Sequence, residues 1–384
     1  MITSLTVSNF RSVGPDVRIQ LGDMTALVGP NGSGKSNVVD SLRFLADVMD
    51  SGLPGAIGNR DGIKSVRRWS SGRPFNMALR AELQWESGSG AYAFELRGDS
   101  ADEYVVKREV AEVAQDGEAH RFERRDGAWN AGPKDIRPAV DALNLALPLV
   151  GGDERFAPLR KELADIAVYT IFPDHLREPQ KYSSVRPMSR HGENWASILR
   201  DESSRAWRPE LVAVLRHLTG DIVDLEVGSA AGFLVVRFRH QFAAHGNGAA
   251  VTHRAKWFSA GQESDGTLRV AGIVTACLQE PAAAVLCVEE PELTVHPGAI
   301  PLLVDQLAQA SRRSQVIVTT HSPELLALLD PGDVRVVFRR RGATDVAAMD
   351  PDQADAVRRG LLSLGDFLRT EGIQPELPFA LTEG

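Results

Sequence analysis

Four short stretches carry residues of the right type and spacing for phosphate chemistry. "GPNGSGKS", Gly29 to Ser36, fits the pattern G-x-x-x-x-G-K-[ST]. Glycines let the backbone curl so that successive N–H groups face phosphate oxygens, where a side chain would intrude. Lys35 supplies a point charge for the outer phosphates, and the Ser36 hydroxyl can ligate Mg²⁺. "CVEEPELTVHPG", residues 287–298, sets Glu289 and Glu290 side by side at the end of an apolar run. Read alone, that pair could hold a metal, act as a base or be a solvated turn. In a chain with a phosphate loop, the first acid reaches the Mg²⁺ shell and the second polarises the attacking water. "SQVIVTTHSPELL" ends another apolar run in His321, a residue able to donate a hydrogen bond to a γ-phosphate or to the water. "SAGQESDGT" places Ser264 and Gly266 at the start of an amphipathic helix, a second terminus suited to an anion.

Each stretch needs an element to hold it. "MTALVG" reads as a strand leading into the Gly-rich turn, and Lys35 to about Met49 reads as the helix after it. Period-2 segments between about residues 77 and 125 read as antiparallel strands. The pattern turns helical between about 135 and 218, with Pro158, Pro173, Pro179 and Pro187 as punctuation. "DIVDLEV", "GFLVVRFRH" and "VTHRAKWFS" read as strands, the last two joined by the turn "HGNG". From Ser264 onward the order is helix, strand, helix, strand, helix, then a hairpin around "DVRVVFRRRGATDVAAM" and short helices. No internal repeat or long low-complexity linker interrupts this order.

Composition narrows the class. The chain has 384 residues, 43% hydrophobic and 24% charged, which suits one large composite domain. No apolar run is long enough to cross a bilayer, and "MITSLTVSNFRS" lacks the basic and apolar regions of a signal peptide. Cys277 and Cys287 form no CxxC pair, so the expected compartment is the reducing cytoplasm. A net charge of −8 argues against a surface devoted to coating DNA, although it does not exclude a local basic groove.

Taken together, "NFRS", "GPNGSGKS", "SDGT", "EEPE" and "TTHS" resemble the ABC-type P-loop ATPases of the RecF/SMC-like and OLD-like branch. The intervals fit as well: Ser264 precedes Glu290 by 26 residues, and His321 follows it by 31. The resemblance implies an α/β head that binds ATP and Mg²⁺. Its mixed-sheet lobe would comprise 1–130 and 282–384, and its helical signature lobe 131–281. It implies nucleotide contacts from Gly29, Pro30, Asn31, Gly32, Ser33, Gly34, Lys35, Ser36 and Asn37, with Arg11 and Ser12 beside them. Ser36 and Glu289 would serve the metal, Glu290 would be the catalytic carboxylate, His321 the switch histidine, and Lys35 the phosphate cation. Ser264 and Gly266 would close on the nucleotide of a second copy, giving an ATP-dependent homodimer. DNA and a separate effector protein are further expected partners, in DNA maintenance or in defence against phage; a membrane is not. Several features depart from the pattern. The signature reads SDGT in place of the transporter LSGGQ, Glu289 replaces the transporters' Asp, and Val295 stands before His296–Pro297. Neither Gln84 nor Gln180 sits in a recognisable Q-loop. There is no coiled-coil heptad run, and Asp350 and Asp352 read as a helix start, so no fused nuclease centre is expected. A transporter's nucleotide-binding subunit and a non-hydrolysing ATP-dependent binding module are the alternatives. Glu292 is expected at the partner interface and His296 at a helix start.

Overall fold

The computed structural model describes residues 1–201, 203–244 and 252–376. The chain begins with β1 (Ile2–Ser8), β2 (Val17–Gln20), β3 (Met24–Val28), α1 (Lys35–Gly58) and α2 (Ile63–Val66). There follow β4 (Met77–Trp85), β5 (Gly88–Arg97), β6 (Val105–Gln115), β7 (Glu118–Arg125) and β8 (Ala128–Ala131). Next come α3 (Leu147–Val150), α4 (Ala157–Ala164), β9 (Ile166–Tyr169), α5 (Pro173–Arg177), α6 (Trp195–Arg200) and α7 (Ser204–Thr219). A β-segment of β10 (Ile222–Ala230), β11 (Phe233–Ala244) and β12 (Thr252–Ser259) precedes α8 (Asp265–Leu278). The order then runs β13 (Val285–Glu289), α9 (Ile300–Ala310), β14 (Gln315–Thr320) and α10 (Pro323–Leu326). It ends with β15 (Val334–Arg340), β16 (Ala343–Ala348), α11 (Pro351–Arg358) and α12 (Leu364–Thr370). The class is α/β with mixed sheets, as the sequence predicts. The expected "HGNG" turn lies outside the described residues.

The chain divides into two compact units, Met1–Ala167 with Leu329–Gly384, and Val168–Leu328. In the first, β2-β1-β4-β5-β6-β7-β8 form an antiparallel seven-stranded sheet. Alternation along β4 buries Met77, Leu79, Ala81 and Leu83. Helix α1 packs its Phe44 between Phe10 and Phe94, with ring centroids 5.5 and 6.4 Å away. The helix runs beyond the expected end near Met49, because Gly52, at φ 71°, turns the chain and Pro54 starts a new helical stretch. In the same unit β3 pairs in parallel with β15, which pairs antiparallel with β16.

The units part at other places than the expected lobes. The segment 131–167 joins the first unit because a buried carboxylate holds it there. Glu109 accepts from Ala146 N–H (2.7 and 2.9 Å) and Leu147 N–H (2.9 Å), which begin α3, and from the Tyr92 hydroxyl (3.0 Å). Arg124 meets Glu109 at 3.4 Å and donates to the Val140 and Asn144 carbonyls. Residues 282–328 join the second unit because β13 and β14 pair in parallel and Arg269 of α8 grips the end of β13. Both strands are buried throughout, the pattern of a parallel pair covered on two faces. The short strand β9 was not expected, since four apolar residues carry too little periodicity to read.

The second unit also contains the antiparallel sheet β10-β11-β12. His240 on β11 lies 2.9 Å from Asp221 Oδ2 and 2.8 Å from Glu263 Oε1. Burial works against its charge, but the two carboxylates outweigh burial and raise its pKa. A raised folded value means that the stabilisation is complete below the unfolded value of about 6.5 and is lost as pH rises through the folded one. The melting temperature is therefore expected to fall as pH rises above about 6.5. His240→Asn should remove that pH-dependent part, which a series of thermal melts would check.

Candidate functional site

In the first unit the loop Gly29–Ser36 joins β3 to α1 in a conformation that glycine makes accessible. Gly32 has φ 77° and Gly34 φ 108°, the left-handed region that side chains disfavour. Space forbids a side chain as well. A Cβ on Gly29 would overlap the Val337 carbonyl, and one on Gly34 would overlap Thr344 Oγ1. Gly34 stands at the N-cap of the 24-residue α1 and has no side chain to cap it, so the helix start is open to an anion. Lys35 is buried, and its ammonium donates to the Gly29 carbonyl at 2.8 Å and the Pro30 carbonyl at 3.3 Å. Ser36 is exposed at the first turn, whereas the buried Ser33 hydroxyl has no hydrogen-bond partner among the described residues.

The loop is held from behind by hydroxyls. Thr344 Oγ1 donates to the Ser33 carbonyl at 2.6 Å and meets Ser12 Oγ at 2.8 Å. Ser12 Oγ also accepts from Asn37 Nδ2 at 2.6 Å. Arg11, at φ 48°, pairs with Asp40 at 2.8 Å. A cavity of about 640 Å³ opens beside this support, lined by Arg11, Ser12, Arg68, Arg341 and Trp69, the last 81% exposed.

In the second unit the ends of β13 and β14 present the acids and the histidine. Glu289 is buried, and its Oε1 accepts from Arg190 Nη2 at 2.8 Å and Thr170 Oγ1 at 3.2 Å. Glu290 sits at φ 45°, a strained conformation for a side-chain-bearing residue. Two contacts fix its backbone. Its N–H donates to the Thr319 carbonyl (3.0 Å) and hydroxyl (3.1 Å), and its carbonyl accepts from Arg269 Nη2 at 2.8 Å. Arg269, on the buried face of α8, also donates to the Ile171 carbonyl at 2.6 Å, and burial lowers its pKa. His321 Nδ1 lies 3.3 Å from Glu290 Oε1 and 3.9 Å from Glu292 Oε1, without hydrogen-bond geometry to either. Glu292 is buried and is not the surface contact the sequence suggests. Its Oε1 accepts from Thr320 Oγ1 at 2.6 Å and His321 N–H at 3.3 Å, clamping the β14 tip.

At the start of α8, Ser264 Oγ accepts from Thr267 N–H at 3.1 Å and meets Thr267 Oγ1 at 2.8 Å. A Cβ on Gly266 would come within 2.8 Å of the Thr294 carbonyl, so the glycine lets the helix start approach the loop after β13. His296 caps the turn that follows, accepting from Gly298 N–H at 3.0 Å. Asp350 likewise caps α11. Gln180 is enclosed: it donates to the His175 and Gly192 carbonyls and accepts from Ala196 N–H.

A family model described as "AAA domain, putative AbiEii toxin, Type IV TA system" (AAA_21) matches residues 24–327, most of the chain. The chain belongs to the AAA_21 family. Over 129 residues it is 33% identical to the chromosome partition protein Smc of Desulfitobacterium hafniense (strain Y51), covering 32% of this chain and 10% of that protein. Over 125 residues it is 31% identical to structural maintenance of chromosomes protein 1 of Arabidopsis thaliana, covering 28% and 10%. The chain thus spans about a tenth of the length of these curated relatives. Among solved structures, an Smc head bound to the C-winged helix domain of ScpA superposes with TM-score 0.52 at 14% identity, over 92% of this chain and 99% of that one. The AAA_21 chain therefore has the fold of an SMC-head-like P-loop ATPase.

Ser36 in the first unit and Glu289 in the second each carry oxygens of the kind a hard divalent cation takes. Ser36 offers an exposed hydroxyl and Glu289 a second oxygen, Oε2, that takes no hydrogen bond from a described residue. Glu292 Oε2 is buried and also without a partner among the described residues. No three His, Cys, Asp or Glu among the described residues gather closely enough to hold a metal by themselves. A Mg²⁺ ion would therefore draw most of its ligands from phosphate and water, as that ion usually does.

The sequence missed Thr344, Arg269 and Arg190, which carry no motif and act across long separations. Thr344→Val preserves shape and removes the donor to Ser33. A buried acceptor left without its donor costs about 1–3 kcal/mol. ATP affinity, measured by calorimetry, is expected to fall about tenfold while the secondary structure stays intact.

Proposed function

We propose that this chain binds ATP with Mg²⁺, hydrolyses it and pairs with a second copy while ATP is bound. The loop Gly29–Ser36 and Asn37 cradle the phosphates, Lys35 balances the charge of the outer ones, and Ser36 and Glu289 serve the cation. Glu290 orients and deprotonates the attacking water, and His321 supports it from 3.3 Å. Ser264 and Gly266 present the solvent-facing start of α8, capped by Ser264, to the nucleotide of the second copy. Arg11 and Ser12 border the nucleotide, with Ser12 acting through the loop it supports. The carrying observation is Glu290, held in a strained backbone conformation by Thr319 and Arg269 with His321 beside its carboxylate.

DNA or a separate effector protein is the proposed downstream partner, in maintenance of the chromosome or defence against foreign DNA. The names of the curated relatives and the family's description as a putative AbiEii toxin support this direction. Among the described residues no helix is long and apolar enough to cross a membrane.

Lys35→Ala should abolish ATP binding. Glu290→Gln should bind ATP normally, release phosphate at least ~100-fold more slowly and accumulate as a dimer in light scattering. A variant that stays monomeric with saturating ATP would sink the pairing, and unchanged phosphate release would sink the role of Glu290. For DNA, a mobility shift that weakens as salt rises and strengthens with ATP is expected. Absence of any shift at low salt would leave the effector protein as the partner.

A further inference from the structure

Arg190 lies between α5 and α6, and its Nη2 donates to Glu289 Oε1 at 2.8 Å. Its Nε donates to Thr170 Oγ1 at 3.2 Å, and that hydroxyl donates to the same Glu289 oxygen at 3.2 Å. The backbone is fixed too, because the Arg190 carbonyl accepts from Thr170 N–H at 3.0 Å. Next to it, His191 Nδ1 meets the Thr170 carbonyl at 2.8 Å. A guanidinium and a hydroxyl thus share one carboxylate oxygen and leave Oε2 without a hydrogen bond from the described residues. The Glu289 side chain is 9% exposed and that of Arg190 31%, so a largely buried carboxylate is paired with a partly exposed guanidinium.

The geometry points to Arg190 as a positioning residue that acts through Glu289 and makes loading of a divalent cation conditional on nucleotide. It rests on the reading of Glu289 as the cation-side carboxylate. Arg190 holds Oε1 and so orients Oε2 for the cation or its water. Its fixed positive charge opposes a dication at the same carboxylate, at a distance where one unit charge matters. Nucleotide phosphates bring negative charge that offsets this repulsion, so the carboxylate accepts the cation together with the nucleotide. Thr170 keeps the guanidinium in place while this happens.

The test uses the whole chain and Mn²⁺, whose free form is counted by electron paramagnetic resonance, with and without ADP. Without nucleotide, Arg190→Ala is expected to bind Mn²⁺ at least about tenfold more tightly than the parent protein. Arg190→Lys should stay near the parent, and Glu289→Gln added to Arg190→Ala should return binding to the weak level. With ADP, the gap between parent and Arg190→Ala should narrow. An Arg190→Ala affinity within about twofold of the parent overturns the proposal. If Arg190→Ala melts early, Arg190→Gln removes the charge while keeping a donor for Thr170, and is judged by the same limits. The reading beneath the proposal has its own arm: Glu289→Gln alone should weaken Mn²⁺ binding in the presence of ADP. No change there removes Glu289 from the cation site, whatever Arg190 does.

Discussion

A loop that offers its backbone to phosphate must be held in shape by groups behind it. In Gly29–Ser36 that support comes from the far end of the chain. Val337 presses its carbonyl against Gly29, and Thr344 reaches the Ser33 carbonyl while filling the space a side chain on Gly34 would need. Ser12 ties Thr344 to Asn37 on the first turn of α1. The glycines are thus required twice, once for left-handed backbone angles and once for the close approach of β15 and β16. Pairing of β3 with β15 sets that approach, so the seating of the loop depends on a strand contact rather than on the loop alone.

The same constraint recurs at the end of β13. Glu290 adopts a left-handed conformation that costs on the order of 1–3 kcal/mol, and such a conformation persists only where its surroundings over-determine it. Thr319 takes its N–H and Arg269 its carbonyl, so the peptide has no freedom to relax. Arg269 is desolvated, and its acceptors are carbonyls of Ile171, Glu289 and Glu290 rather than carboxylates. The helix that begins at Ser264 is therefore mechanically joined to Glu290 within one unit. Gly266, packed against the Thr294 carbonyl, adds a second joint between the same two segments.

The features legible in the sequence were the local ones. The glycine loop, the acid pair, His321 and the helix start at Ser264 each lie within a dozen residues, and their geometry follows from strand and helix ends. From Ser264 onward the order of elements was legible for the same reason, down to the β15–β16 hairpin and the cap at Asp350. What stayed hidden depends on contacts across the chain. Thr344 lies 332 residues from Ser12, and nothing in "GATDV" marks it as a support. Arg269 reads as one polar position on an amphipathic helix, yet it is buried. Glu292, expected at a partner interface, is buried instead, because its partners Thr320 and His321 belong to the neighbouring strand end and not to its own segment. The kink at Gly52 has a local signal in Gly52 and Pro54, but the helix resumes because Leu53, Ala56 and Ile57 have apolar surface to bury.

At the β13 and β14 tips, one arginine grips backbone carbonyls and another touches a carboxylate. Three carboxylates, Glu289, Glu290 and Glu292, crowd the end of one strand, and like charges so close oppose one another. Two arginines answer them in different ways. Arg269 is almost fully buried and grips carbonyls, so its removal would leave polar groups without partners in the core. Arg190 is partly exposed and touches the Glu289 carboxylate directly, holding one oxygen and leaving the other without a hydrogen bond from the described residues. The first arginine therefore ties backbone to backbone, and the second orients a side chain. Glu292 stands apart from the other two acids, since its hydrogen bonds go to Thr320 and the His321 backbone.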